Sequence, residues 1–168
     1  MVLFTIPFLL TLFLFPLNSH EVQLARFELT QADGQLKLDI FVEKEDMNAL
    51  KNNFTKLQLN EKMAFVNDYI ASHTEWYFNQ QLYIICNYNY TSDSHHLRLA
   101  GHFNEAPENI KRIQVNNRFL IQEIPGHLNI IHLKLNEKLR SFRMDKQRQK
   151  ITINYGINDD LIANTISF

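Results

Sequence analysis

Apolar and polar positions alternate along most of this chain, which predicts strands before any single residue is considered. Residues 21–30, EVQLARFELT, have extended character. Their apolar phase switches between Leu24 and Phe27, which predicts a β-bulge. Ala32-Asp33-Gly34 follows, and Asp-Gly is a strong hairpin turn. In QLKLDIFVE the alternation is clean: Leu36, Leu38, Ile40 and Val42 share one face, Lys37, Asp39 and Glu43 the other, with Phe41 among them. One dry and one wet face predict a half-buried antiparallel strand.

The period then changes. Residues 44–51 predict a short helix with Met47 and Leu50 inward. Asn60 is placed to cap a longer helix, with Glu61 in its first turn. Val66, Tyr69, Ile70, His73, Trp76 and Tyr77 fall at helical spacing and predict one core-facing stripe. Strand patterns resume at Gln81 and run to Tyr90, and HHLRLAGHF follows a polar turn. Within residues 109–123, Ile113, Val115, Phe119 and Ile121 share a parity. Pro125-Gly126 marks a turn, and HLNIIHLKL, KLRSFRM and KITINY complete about eight strands. The predicted fold is mainly β: an antiparallel, Ig-like β-sandwich with one or two helices inserted after the second strand.

The first residues alter the picture of where the chain works. Residues 2–17 read VLFTIPFLLTLFLFPL, with no charge before Glu21. An apolar run of this kind, followed by Asn18-Ser19, predicts a signal peptide over residues 1–19. An uncleaved short anchor is the alternative. Residues 20–168 then form a single β-rich domain with no transmembrane span, exported to the periplasm or outer envelope of a Gram-negative bacterium. The 17 Lys and Arg nearly balance 18 Asp and Glu, which argues against a nucleic-acid partner. The one cysteine, Cys86, cannot form an intramolecular disulfide and is expected as a small core residue.

A His after the leader, a hairpin, Phe41-Val-Glu-Lys-Glu-Asp-Met47 entering a helix, and the late stretch NNRFLIQEIPGHLNIIHLKLNEKLRSF together carry a resemblance. Over about residues 19–144 the chain resembles an uncharacterised family of small exported proteins of Bacteroidota-type bacteria. In that family the late segment reads Asn-Ile-Val-His, and Asn129-Ile130-Ile131-His132 stands there. The resemblance implies export and a fold, and it brings no activity.

Catalytic motifs are sparse. There is no Gly-x-Ser-x-Gly elbow and no Gly-rich phosphate loop. Glu43, Glu45 and Asp46 cluster where the second strand meets a helix; they read as a hard-cation site or as acids complementing the helix dipole. Imidazole is a common metal ligand, and the chain has seven His. Cleavage after Ser19 gives His20 both an α-amine and an imidazole, so His20, His127 and His132 are the candidate copper or zinc ligands. His95 and His96 are expected to point to opposite faces of a strand, and His73 sits in the core stripe. Lys134, Lys138, Arg140, Arg143, Lys146, Arg148 and Lys150 form a basic run that reads as a surface for acidic lipid or glycan, or as edge protection. The expected function is a non-enzymatic exported domain that binds or scaffolds an envelope protein or membrane-associated partner. The alternative is a periplasmic copper- or zinc-binding protein using an N-terminal His; a third reading is a hydrolase without a recognisable motif.

Overall fold

The computed structural model describes residues 23–32, 34–104, 107, 109–135, 138–155 and 161–164. The leader over residues 1–19 and His20 lie outside the described residues. β1 (Leu24–Ala32) and β2 (Gln35–Glu43) form the predicted antiparallel hairpin, Arg26 opposite Phe41 and Ala32 opposite Gln35. Gly34 closes it at φ +74°, a backbone shape that costs glycine little. Leu36, Leu38, Ile40 and Val42 are all buried, as their alternation predicts. The expected bulge in β1 is absent, because the register to β8 runs unbroken from Leu24 to Thr30. Ala25, Phe27 and Leu29 point inward, and Leu24 faces out at 39% exposure. The small Ala25 holds the inward place that size alone had assigned to Leu24.

Two helices follow β2: α1 (Lys44–Leu50) and α2 (Leu59–His73), with a 3-10 turn at Phe54–Lys56 between them. The cap of α2 is Gln58, not Asn60. The Gln58 N–H donates to Glu61 Oε2 at 3.0 Å, one arm of a reciprocal capping box. The helix stops at His73, four residues short of the end of the expected stripe. Trp76 belongs to β3 (Thr74–Phe78), where Thr74, Trp76 and Phe78 point inward and Glu75 and Tyr77 are half-buried. A β-branched residue and three aromatics in five positions suit a pleat better than a helix.

The remaining strands are β4 (Gln81–Tyr83), β5 (Ile85–Ser92), β6 (His96–Phe103), β7 (Arg112–Asn117), β8 (Leu128–Leu135), β9 (Lys138–Met144), β10 (Lys150–Tyr155) and β11 (Leu161–Asn164). The single strand expected over residues 81–90 is therefore two, which break at Ile84 and enter different sheets. Phe119 and Ile121 are buried, but β7 ends at Asn117 and a left-handed Leu120 (φ 59°) turns the chain beyond it.

One sheet runs β5-β6-β2-β1-β8-β9 and the other β11-β10-β7-β3-β4. All pairs are antiparallel except β1 with β8, which run parallel, Leu24 opposite Leu128. This departs from the all-antiparallel expectation. The inner faces share one apolar core. Phe103 of the first sheet meets Trp76 and Phe78 of the second edge-on, at 5.8 and 5.1 Å between ring centres. The fold is thus a mainly β sandwich of two sheets with two helices inserted after the second strand. Cys86 is half-buried rather than a core residue, and its neighbour Ile84 is 71% exposed. Among the described residues no helix is long and apolar enough to cross a membrane.

Candidate functional site

The chemistry of the interior gathers where the two sheets, α1 and the entry to β8 meet. Only five polar or charged residues are buried among the described residues: Asp46, Thr74, Asn117, His127 and Asn129. Thr74 is explained locally, since its hydroxyl donates to the Ile70 carbonyl at 2.9 Å and finishes α2. Asn117 and Asn129 join the sheets. Asn129 Nδ2 donates to Asn117 Oδ1 (2.9 Å) and to the Phe119 carbonyl (2.8 Å), and the Phe119 N–H donates to Asn117 Oδ1 (3.0 Å). This small network fixes the turn after β7 against the start of β8.

Asp46 and His127 are different. Their side chains are 1% and 0% exposed, and Asp46 Oδ2 lies 3.8 Å from His127 Nδ1, beyond hydrogen-bond reach. Neither that oxygen nor either ring nitrogen has a hydrogen-bond partner among the described residues. Burial, reinforced by the charge of Glu43, pushes the Asp46 carboxyl up to about 6, against the pull of a Gln23 hydrogen bond. Burial also pushes the His127 imidazole down to about 4, with Asn129 and the charge of Glu123 opposing it. Desolvation therefore favours the neutral form of both groups. The start of β1 borders the pair, because the Leu128 N–H donates to the Gln23 carbonyl at 3.0 Å.

The candidate histidines are separated. His127 is buried at the entry to β8. His132 is half-buried on the opposite, outward face of that strand, where its Nδ1 meets Ser141 Oγ at 2.7 Å across β9. His20 lies outside the described residues. His73 closes α2, stacked on Tyr69 at 4.0 Å and 3.4 Å from Glu123. His95 lies in the bend before β6 rather than in the strand, so only His96 has a strand face. Of the acidic cluster, Asp46 alone is buried; Glu45 is exposed. Among the described residues no three His, Cys, Asp or Glu side chains converge on one point. Sequence patterning missed Asp46, Asn117 and Asn129 as a buried group. The parity of β2 and β8 placed Asn129 inward with Ile131 and Leu133, and that was the available signal.

Two surfaces remain. An open groove of about 690 Å³ on the outer face of the first sheet is lined by Leu24, Arg26, Phe41, His96 and Arg98. Arg26 and Arg98 lie 4.3 and 5.7 Å from the Phe41 ring centre. Both are already engaged, Arg26 with Glu28 at 2.8 Å and Arg98 with Asp39 at 2.9 Å. At the groove's rim the N–H groups of His95 and His96 donate to Asp93 and hold its carboxyl down at about 2. The groove thus satisfies its own charges. The second surface is β9, which ends the six-stranded sheet among the described residues. Lys138, Leu139, Arg140, Ser141 and Arg143 are all exposed there. Residues 134–150 hold seven Lys or Arg against Glu137 and Asp145, in a chain whose net charge is −1. Compared with protein-family models and with curated proteins, the chain matches none.

Proposed function

We propose that this chain is an exported binding domain that engages an acidic, extended segment of a partner protein along β9. The observation that carries the reading is the contrast between the two edges of the six-stranded sheet. β5, at one edge, has no charged residue, shifts register between Cys86 and Asn89, and lies against α2. A bulge and a covering helix are two ways of closing an edge. β9, at the other edge, keeps an unbroken register with β8 from Asn129–Met144 to Leu135–Lys138. Cations alone would deter pairing with another strand. Here they flank Leu139, which is 64% exposed. An incoming acidic strand gains main-chain hydrogen bonds from the edge, charge attraction from Arg140 and, in competition with its pairing to Asp145 at 3.6 Å, from Arg143, and an apolar contact at Leu139. The hydrophobic leader supports placing this binding outside the cytoplasm.

The test is site-specific photo-crosslinking in the cells that make the protein. A photoreactive residue at position 139 is expected to capture one partner through an acidic segment, and the same residue in place of Tyr77, on the other sheet, is expected to capture none. Reversing charge with Arg140→Glu and Arg143→Glu should abolish capture. Equal capture from both positions, capture indifferent to charge reversal, or crosslinks to lipid alone would overturn the reading.

A further inference from the structure

We propose that the outer face of the five-stranded sheet binds an acidic saccharide, a chain of sugar rings that carry carboxylates. This is independent of the β9 reading. A cleft of about 360 Å³ lies where β7 leaves the sheet, lined by His73, Glu75, Asn116, Arg118, Gln149 and Lys150. Small-ligand pockets run from about 300 to 1,000 Å³ and are mostly apolar. Every side chain lining this one is polar, which calls for a ligand that is polar throughout. The groove on the first sheet satisfies its own charges, and this cleft does not. Among the described residues neither Arg118 nor Lys150 is paired with a carboxylate, and the Arg118 guanidinium donates to the Ser72 carbonyl at 3.3 Å. Glu75 is held in place: its Oε2 accepts from Tyr77 Oη at 3.1 Å and from Asn116 Nδ2 at 2.5 Å. Its Oε1 has no partner among the described residues and is left as a directed acceptor.

The register sets these groups in straight rows. Lys150, Asn116 and Glu75 stand side by side across β10, β7 and β3, and Thr152, Gln114 and Tyr77 form the next row. All six point outward, because Ile151, Val115 and Trp76 between them are buried in the core. Strands about 4.8 Å apart make each row about 10 Å long, the length of two linked sugar rings. Sugar hydroxyls both donate and accept, as do the amides and hydroxyls of these rows, and Glu75 accepts. Arg118 and Lys150 supply the countercharge for a ring carboxylate. Other polar ligands fit less well. An extended peptide needs a free strand edge, and β10, β7 and β3 are each paired on both sides. A phosphate, with up to two charges, meets the fixed charge of Glu75.

The test is calorimetric titration of the full chain with the trimers of galacturonate, glucuronate and mannuronate. At least one is expected to bind at a single site per chain. Its carboxyl-reduced form, and tricarballylate, which has three carboxylates and no hydroxyl, should each bind about tenfold more weakly or worse. Arg118→Gln and Lys150→Gln should each weaken the trimer by about tenfold. Glu75→Gln should also weaken it, by about threefold, although it removes a negative charge; plain attraction for anions would make binding tighter. Arg140→Glu, on β9, should leave the affinity unchanged, which separates this site from the β9 reading. Melting curves check that each variant folds, and the exposed Lys150→Gln decides the matter should Arg118→Gln unfold. Absence of binding to all three trimers, tricarballylate binding as tightly as the trimer, or an affinity unchanged by Lys150→Gln overturns the proposal. So does an affinity that Glu75→Gln leaves unchanged or raises.

Discussion

Asp46→Asn should make the protein more stable at neutral pH, although it removes half of a buried acid–base pair. The Asp46 carboxyl has its folded pKa raised from 3.8 to about 6, first by burial and then by Glu43. A group raised in this way contributes stability that is fully present below pH 3.8 and lost as pH rises through 6. At 1.36 kcal/mol per pH unit the loss is about 3 kcal/mol. The side chain is 1% exposed, so solvent screening does not reduce it much. The amide carries no titrating proton, so the variant escapes that loss. His127 runs the other way. Its folded pKa falls from 6.5 to about 4, so it gains about 3 kcal/mol as pH rises across nearly the same window. In the wild-type chain the two slopes nearly cancel. In the variant the His127 slope stands alone, and stability climbs between pH 4 and 6.5. The assay is urea unfolding at half-unit steps from pH 4 to 7, with equal m-values required of both proteins. An ion pair in the native state gives the opposite sign. If the wild type gains on Asp46→Asn as pH rises, desolvation does not govern this pair and the reasoning fails.

Three further outcomes follow from packing. Gly101→Ala places a Cβ 2.7 Å from Ile85 Cγ2 and 3.0 Å from the Tyr88 ring, beside the irregular stretch of β5; overpacking of this kind costs about 1–3 kcal/mol, read as a lower urea midpoint. Asn129→Ala removes two buried hydrogen bonds and orphans Asn117 Oδ1 and the Phe119 carbonyl from this donor, with an expected cost of about 2–4 kcal/mol by thermal melting. Arg98→Ala should cost less than about 1 kcal/mol, because the side chain is 51% exposed, and a larger loss in urea unfolding would show that its stacking on Phe41 matters more than its charge.

Much of the sandwich is legible in the sequence because a half-buried strand writes its burial into every second residue. β2, β6, β8 and β10 were readable for this reason, and the hairpin between β1 and β2 announced itself by Asp33-Gly34. The errors fall where period and identity disagree. Leu24 outweighs Ala25 by size, yet the register to β8 sets Ala25 opposite the buried Asn129 and puts it inside. Val66 to Tyr77 fits a helical period throughout, but the structure changes to a strand at Thr74, and aromatic residues satisfy either period. Ile84 sits in an apolar run and is nevertheless a crossing between sheets. The candidate site was only half visible. His127 was named, but its partner Asp46 is brought to it by the packing of α1 against the start of β8, and no local spacing encodes that. His132 was named beside His127 as a candidate partner of His20, but the odd separation of the two sends them to opposite faces.

The parallel pairing of β1 with β8 decides when this protein can fold. β1 comes first in the described chain, yet it sits in the interior of its sheet, between β2 and β8. The β1–β2 hairpin and β6 can assemble early, but the far side of β1 waits for residues around Leu128 to be made. Contacts closed over so long a stretch make folding slow, and a growing chain with an unfilled strand edge is exposed to misassembly meanwhile. Fragments that stop before β8 should therefore aggregate rather than fold. The same delay suits a chain proposed to leave the cytoplasm, because a polypeptide threaded through a membrane pore has to arrive there unfolded.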